Sequence, residues 1–487
     1  MQTLSRDHYK SPHVSGWLTA CAGVLLAGAL GLRVATLNVT TFDADEYAFA
    51  LVARDILLGK LPYSGIFDNK PVGLNYLFAA AEWIGGQSVT AIHALGLIAS
   101  ALAAWLIAKT ARTLNVSLPG ALALAALFLL ETLWLGGWAS MSEVVAAPLI
   151  CLANFLLIRA RKDSCSLYLG IGLIAGMTCQ ITYLAAPVFG LMVLGMLLTS
   201  REKLGARLFM GVLATLGLIT AIMLVWLPQI ISGDWLNYVN EQLAYHGHYR
   251  QPSPPGWLWR ENFLGPLVLL GVPVAAIWAI QLQAGALRWP SRTFWIIALQ
   301  LIGAMIAATA SNRLYTHYLI LALPALAVLP AITAQSSPPH LQGRYAAVLL
   351  VCAGLSALLP LPSLLKHLHQ NSVEAEAARI TRQLTPVGST ILVFNGQHTT
   401  YFLAQRAAAS RFVFPNHYLQ SCDGAPPVKS AASVLEEGLS ARPALLLIGS
   451  LCPAEIDAVS VALQHGYHPV RTVVQDGKTI KIYAPQR

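Results

Sequence analysis

Tyr168–Thr199 reads YLGIGLIAGMTCQITYLAAPVFGLMVLGMLLT and carries no charged side chain. At about 1.5 Å per residue one helix over this stretch would be about 48 Å long, too long for a hydrocarbon core of about 30 Å. Two short helices with a turn near Gln180–Tyr183 fit instead. The rest of the chain supports a membrane reading. Hydrophobic residues make up 56% of it and charged residues 11%, against about 25% charged in soluble proteins. The mean hydropathy is +0.59. Apolar runs of spanning length lie near 17–37, 88–108, 118–138, 141–158, 208–232, 263–284, 293–310, 317–334 and 345–362. With the hairpin these make eleven spans.

The positive charges test that count, because Lys and Arg collect in cytoplasmic loops. Arg6 and Lys10 precede the first span. Lys109 and Arg112 follow the second, and Arg159, Arg161 and Lys162 the fourth. Arg201, Lys203 and Arg207 follow the sixth, Arg288 and Arg292 the eighth, and Arg344 the tenth. All fall on one side when the hairpin is counted as two spans, and the alternation fails when it is not. The net charge of +9 therefore reads as a topology signal and not as a nucleic-acid surface. The N-terminus is expected in the cytoplasm and the C-terminus outside. The run Trp17–Leu37 reads as a signal anchor, being longer than a signal-peptide core.

Residues 1–365 form the expected membrane domain and 366–487 a small α/β domain. In the latter, Ser389–Asn395 and Ala444–Gly449 read as strands. Asp476–Gly477 marks a hairpin. Val428–Leu439 and Pro453–His465 read as helices, the second stopped by Gly466. The seven cysteines show no metal-ligand spacing. Cys422 and Cys452, in the domain expected outside, are either a disulfide or two unpaired thiols. His246 and His248 form an H-x-H pattern that reads as exposed polar loop and not as a metal site. There is no Walker or Rossmann phosphate motif.

Chemistry concentrates in the first outside loop, Thr41–Gly86. It places Asp43, Asp45 and Glu46 at the end of the first span. Clustered acids raise one another's pKa and can poise a general base. The same three are candidate oxygen ligands for a divalent cation, Mg²⁺ or Mn²⁺. An amphipathic segment, Tyr47–Leu58, follows and is expected to lie in the membrane interface. A second polar knot, Phe67–Asp68–Asn69–Lys70–Pro71, comes next. A lysine in such a place either snorkels or meets a phosphate.

The pattern DADEYAFALVARDILLGKLPYSGIFDNKPVGLNYL resembles the first loop of bacterial membrane glycosyltransferases related to the dolichyl-phosphate-mannose protein mannosyltransferases. The lipid A aminoarabinose transferase and the Rhizobium lipopolysaccharide glycosyltransferases belong to that set. Its Asp-Glu pair corresponds to Asp45–Glu46, its Gly-x-x-Pro-Tyr turn to Gly59–Tyr63, and its Asp-x-(His/Lys)-Pro-Pro element to Asp68–Pro71. Val72 stands where the second proline is usual, which alters local stiffness. Arg313, Tyr315, His317 and Tyr318, before Pro324, resemble the set's Arg-x-Tyr-x-His-Tyr segment. Gln180 resembles the Lys or Gln that follows a glycine-rich span. The glycines of that span, Gly170, Gly172 and Gly176, read by themselves as helix-packing residues.

The resemblance implies an α-helical GT-C fold in the bacterial inner membrane. It implies a sugar donor carried on a polyprenyl phosphate and transfer with inversion to a lipid, polysaccharide or protein acceptor on the outer face. The base is then Asp45 or Asp43, with Glu46 in support. Lys70 and Arg313 are the candidate donor-phosphate contacts. Asp68, Tyr63, Gln180, Tyr315, His317 and Tyr318 are the candidate substrate contacts. No cofactor is implied as obligatory, since members of the set differ in metal dependence. Two other readings compete. A transporter or flippase for lipid-linked sugars would place its ionisable groups near mid-membrane and show an internal repeat. Here the acids lie at a span end and no repeat is evident. A non-catalytic assembly factor would use the C-terminal domain as a binding module.

Overall fold

The structure, a computed structural model, describes residues 12–40, 42–160, 162–249, 256–285, 291–310, 312–335, 339–369, 372–418, 429–450 and 455–486. Cys422 and Cys452 lie outside the described residues, so the pairing expected of them is not addressed.

The chain opens with α1 (Pro12–Ala35), α2 (Asp45–Leu57), α3 (Val72–Gly85), α4 (Val89–Thr113) and α5 (Leu118–Trp134). It continues with α6 (Ser142–Arg159), α7 (Cys165–Cys179), α8 (Ala185–Thr199), α9 (Leu204–Ser232) and α10 (Trp235–Tyr249). Among the described residues eight helices are long and apolar enough to cross a membrane, and three shorter apolar ones are α5, α7 and α8. The eight include α1, α4, α6 and α9, then Trp259–Gln283, Arg292–Thr309, Thr316–Gln335 and the run from Gln342. Eight and three make the eleven expected. The break between α7 and α8 falls at residues 180–184, where the hairpin turn was placed.

The hairpin is held by backbone contact. A Cβ on Gly172 would collide with the Ala214 carbonyl, one on Gly176 with that of Leu218, and one on Gly217 with that of Leu169. Only hydrogens let α7 and α9 approach so closely, the role small residues play in membrane helix packing. At the far end of the hairpin Arg292 donates to Asp163 (2.7 Å) and to Thr199 Oγ1 (3.0 Å), and Ser200 donates to Asp163 (2.8 Å). The loops that carry Arg159, Arg201 and Arg292 therefore meet at one end of the bundle. The first loop, α10 and the C-terminal domain meet at the other.

At that second end α2 departs from expectation. It was expected to lie in the membrane interface with one face wet. Instead Glu46 through Ala53 are all buried. Phe49 meets Phe78 of α3 edge-on at 5.4 Å, and Tyr47 meets Phe402 of the C-terminal domain at 5.3 Å. A helix apolar on every side needs cover on every side, and the domain above supplies it. The stretch holding His246 and His248, expected as exposed loop, is part of α10, which lies across the first loop.

The C-terminal domain is built on a five-stranded sheet in the order β2-β1-β3-β5-β4. The strands are β1 (Thr390–Phe394), β2 (Ala407–Ala408), β3 (Leu445–Gly449), β4 (Tyr467–Gln475) and β5 (Lys478–Pro485). β1 runs parallel to β2 and β3, and β5 pairs antiparallel with β3 and β4. The short edge strand β2 was not expected from the sequence. Asp476 (φ +48°) and Gly477 (φ +75°) turn the β4–β5 hairpin, with both central residues at positive φ as a type I′ turn requires. Helices Ala431–Ser440 and Glu455–Gln464 occupy the expected positions.

Candidate active site between the first loop and the C-terminal domain

Asp43 Oδ1 accepts the Asp45 backbone N–H at 2.9 Å, an Asx turn that starts α2. Asp45 thereby sits in the first turn of the helix, where the N-terminal dipole favours a carboxylate. Both acids face a cavity of about 230 Å³, together with Asp68, Asn69 and Lys70. Tyr315, His317 and Tyr318 form a second side of it, and Tyr245, Phe414, Asn416 and His417 a third. Residues 315–318 form an aromatic cluster: the Tyr315 and His317 rings stack at 5.4 Å and His317 meets Tyr318 edge-on at 4.8 Å.

The lysine-bearing strand is fixed through its carbonyls. Gln242 of α10 donates to Asp68 O (2.7 Å), His246 to Asn69 O (3.1 Å), and Tyr238 to Lys70 O (3.3 Å). The Tyr63 hydroxyl also donates to Lys70 O and receives Asn75 Nδ2 at 3.0 Å. Tyr63 is held at φ +68°, a conformation uncommon for a bulky residue, with its ring stacked on Tyr238 at 4.2 Å. Tyr63 is thus a scaffold of the Lys70 strand and does not line the cavity. His246 is spent on this clamp.

Three other expected residues are placed away from the cavity. Gln180 accepts Trp226 Nε1 at 2.7 Å through its side chain and Leu74 N–H at 2.9 Å through its carbonyl, closing the hairpin onto α3. Arg313, 5% exposed, reaches the Tyr315 hydroxyl at 3.4 Å, so its link to the cavity runs through that tyrosine. Its neighbours Asn312 (φ +56°) and Leu314 (φ +51°) both adopt left-handed backbone. Glu46 is fully buried and turned into the bundle. Its Oε1 pairs with His93 Nε2 at 2.7 Å and its Oε2 accepts Ser140 N–H at 2.8 Å. The three acids proposed as cation ligands therefore do not converge. Among the described residues no group of three or more His, Cys, Asp or Glu side chains is arranged to hold a metal ion.

Electrostatics separate the acids further. Asp43 is half-buried in the cavity wall. Burial, and after it the charge of Asp45, pushes it up to about 8. Burial pushes Asp68 up to about 6, with Lys70 and the Asn69 N–H opposing. His417 is 1% exposed, and burial drives it down to about 3, so it is a neutral imidazole. Nothing in the sequence picked out Phe414, Asn416 and His417. The one available signal was RFVFPNHY, an aromatic and histidine-bearing run in an otherwise polar domain.

These features define a polytopic helical membrane protein with a site roofed by a C-terminal α/β domain. No family profile and no curated protein matches the sequence. Among solved structures the fold is shared with ArnT from Cupriavidus metallidurans bound to undecaprenyl phosphate (TM-score 0.68, 14% identity, 96% of this chain and 98% of that one covered). It is shared equally with ArnT from the same organism in the apo state (TM-score 0.69, 14% identity, the same coverage). At that identity the likeness establishes the fold.

Proposed function

We propose that the protein is an integral-membrane glycosyltransferase that takes a sugar from a polyprenyl phosphate and passes it to an acceptor hydroxyl on the outer membrane face. One observation carries the reading. A pair of carboxylates, Asp43 and Asp45, and a cation, Lys70, line one cavity at the end of the bundle. The similarity of fold to a protein crystallised with undecaprenyl phosphate supports the donor class. The end bearing Arg159, Arg201 and Arg292 faces the cytoplasm, so the site and the C-terminal domain face the periplasm or exterior.

The geometry suggests roles. A general base must be ionised at the working pH. Burial raises Asp43 and favours its protonated form, so Asp45, the acid of the Asp-Glu pair, is the favoured base and Asp43 its rival. Asp45 takes the acceptor hydroxyl proton as the acceptor oxygen attacks the anomeric carbon from the face opposite the phosphate. The carbon–oxygen bond to phosphate breaks, and its electron pair leaves with the polyprenyl phosphate. Lys70 stabilises that departing anion as a point charge. Arg313 supports the same anion through Tyr315. The acceptor is a glycolipid, a polysaccharide or a protein.

The test is a screen of labelled polyprenyl-phosphate sugars for transfer to membrane acceptors by purified protein, with Asp45→Asn beside the wild type. Transfer by the wild type and none by the folded variant is the expected result. Full activity in Asp45→Asn moves the role to Asp43, and full activity in both single variants sinks the mechanism.

A further inference from the structure

The cavity has a wall that the roles above leave unused. Phe414, Asn416 and His417 reach it from a short turn of the C-terminal domain, Pro415–His417. That turn is rigidly held. The Phe67 N–H donates to Arg411 O at 2.9 Å, joining the first loop to the segment just before it. Arg411 pairs with both carboxylate oxygens of Glu241 on α10, each at 3.0 Å, and donates to Tyr63 O at 2.9 Å. After the turn, the buried Tyr418 hydroxyl accepts the Asn395 N–H at 3.0 Å and its ring stacks on Phe394. Anchors on both sides make the wall part of the site and not a passing loop.

Its chemistry differs from that of the first-loop residues. His417 sits among the rings of Phe67, Tyr245 and Phe414, at 4.8, 5.4 and 5.2 Å. It is neutral, and its Nδ1 is buried with no hydrogen-bond partner. Asp68, 2% exposed, also lines the cavity and leaves Oδ2 in the same state. Buried polar atoms are nearly always paired, by protein, water or a ligand, and both side chains line the cavity. Neutral donors and acceptors among aromatic rings suit a hydroxylated ring with one apolar face, and not a phosphate, which calls for cations.

Resting on the glycosyltransferase reading, we propose that the C-terminal domain reads the sugar of the donor. Asn416 and His417, with Asp68, hydrogen-bond the sugar hydroxyls, and Phe414 packs against the ring. The phosphate stays with Lys70. The domain is then a specificity element of the catalytic centre.

The experiment uses the full chain in nanodiscs, the donor found in the screen above, and undecaprenyl phosphate without sugar. Asn416→Ala removes a half-buried amide and is the variant least apt to disturb folding. His417→Gln retains a neutral hydrogen-bonding group. Asn416→Ala is expected to raise the KM for the sugar-bearing lipid about tenfold, the scale of one lost hydrogen bond, and His417→Gln to raise it by less. Binding of bare undecaprenyl phosphate, and Tm, should stay at wild-type values. Equal weakening for both lipids would assign the wall to the phosphate and overturn the proposal. So would wild-type KM in both variants, or losses that track a lowered Tm. A wild type that transfers no sugar at all fails the glycosyltransferase reading itself, which is a distinct result.

Discussion

The two walls of the cavity are built from opposite chemistry. The first-loop wall is charged: Asp43, Asp45, Asp68 and Lys70 lie within a short stretch of chain. The C-terminal wall is neutral and aromatic, with Phe414, Asn416 and His417. The first is rooted in the membrane bundle through α2 and α3, and the second hangs from a soluble sheet. The contrast shows where reaction and recognition can be separated. On the proposed function, the groups that move protons or stabilise a departing anion are fixed to the bundle. On the same proposals, the groups that distinguish one sugar from another sit on the C-terminal domain, which is tied to the first loop through Arg411.

Breaking the charged wall should have the largest effect. Asp45→Asn is isosteric and leaves the Asp43–Asp45 backbone turn intact. Loss of a general base costs about 10²- to 10⁴-fold in rate, so kcat is expected to fall by that factor with donor KM nearly unchanged. Single-turnover transfer of labelled sugar measures it. Lys70→Ala is expected next. A hydrogen bond to a charged group is worth about 1.5–3 kcal/mol, or about 10- to 150-fold in affinity. Unlike changes in the C-terminal wall, it should weaken sugar-bearing and bare polyprenyl phosphate alike. Titration of both lipids against the variant decides this.

Glu46 sharpens the comparison from a third direction, because it adjoins Asp45 in sequence but serves the bundle. Its carboxylate holds His93 of α4 and the Ser140 N–H before α6. Removing one partner of a buried pair costs about 3–5 kcal/mol. Glu46→Ala should therefore lower the Tm clearly in a detergent melt, where Asp45→Asn does not. A Glu46 variant of wild-type Tm with no activity would return it to the catalytic set.

These contrasts also mark what the sequence made legible. Hydropathy and the placement of Lys and Arg found the eleven apolar helices, including the break after Gln180, because span length and loop charge are local properties. The first-loop motif found Asp43, Asp45, Asp68 and Lys70, and the Arg313–Tyr318 run found a further side of the same cavity. The C-terminal wall stayed hidden because the contact between residues 67 and 411 has no periodic trace. The cover on α2 stayed hidden for a related reason: apolar residues such as Phe49 and Val52 read the same under lipid as under protein. Glu46 was grouped with its neighbours although successive helical residues differ by about 100°. That rotation turns Glu46 inward while Asp45 lines the cavity.

The smallest expected effect tests the split between the two neighbouring acids. Asp43 is raised from an ordinary 3.8 to about 8 in the folded protein, first by burial and then by Asp45. A raised carboxylate binds a proton in the fold that the unfolded chain has already lost, so stability falls as pH rises. The decline runs from about pH 4 to about pH 8 and flattens above, where both states are ionised. Asp43→Asn removes the titration. The variant should match the wild type in Tm near pH 4 and exceed it at pH 8. The gap is expected to be about 2 °C, modest because Asp43 is partly open to the cavity. Thermal melts of both proteins across that range measure the gap. A wild type whose Tm difference from the variant is flat between pH 4 and 8 would show that Asp43 ionises normally. It would then compete with Asp45 as the base on equal terms.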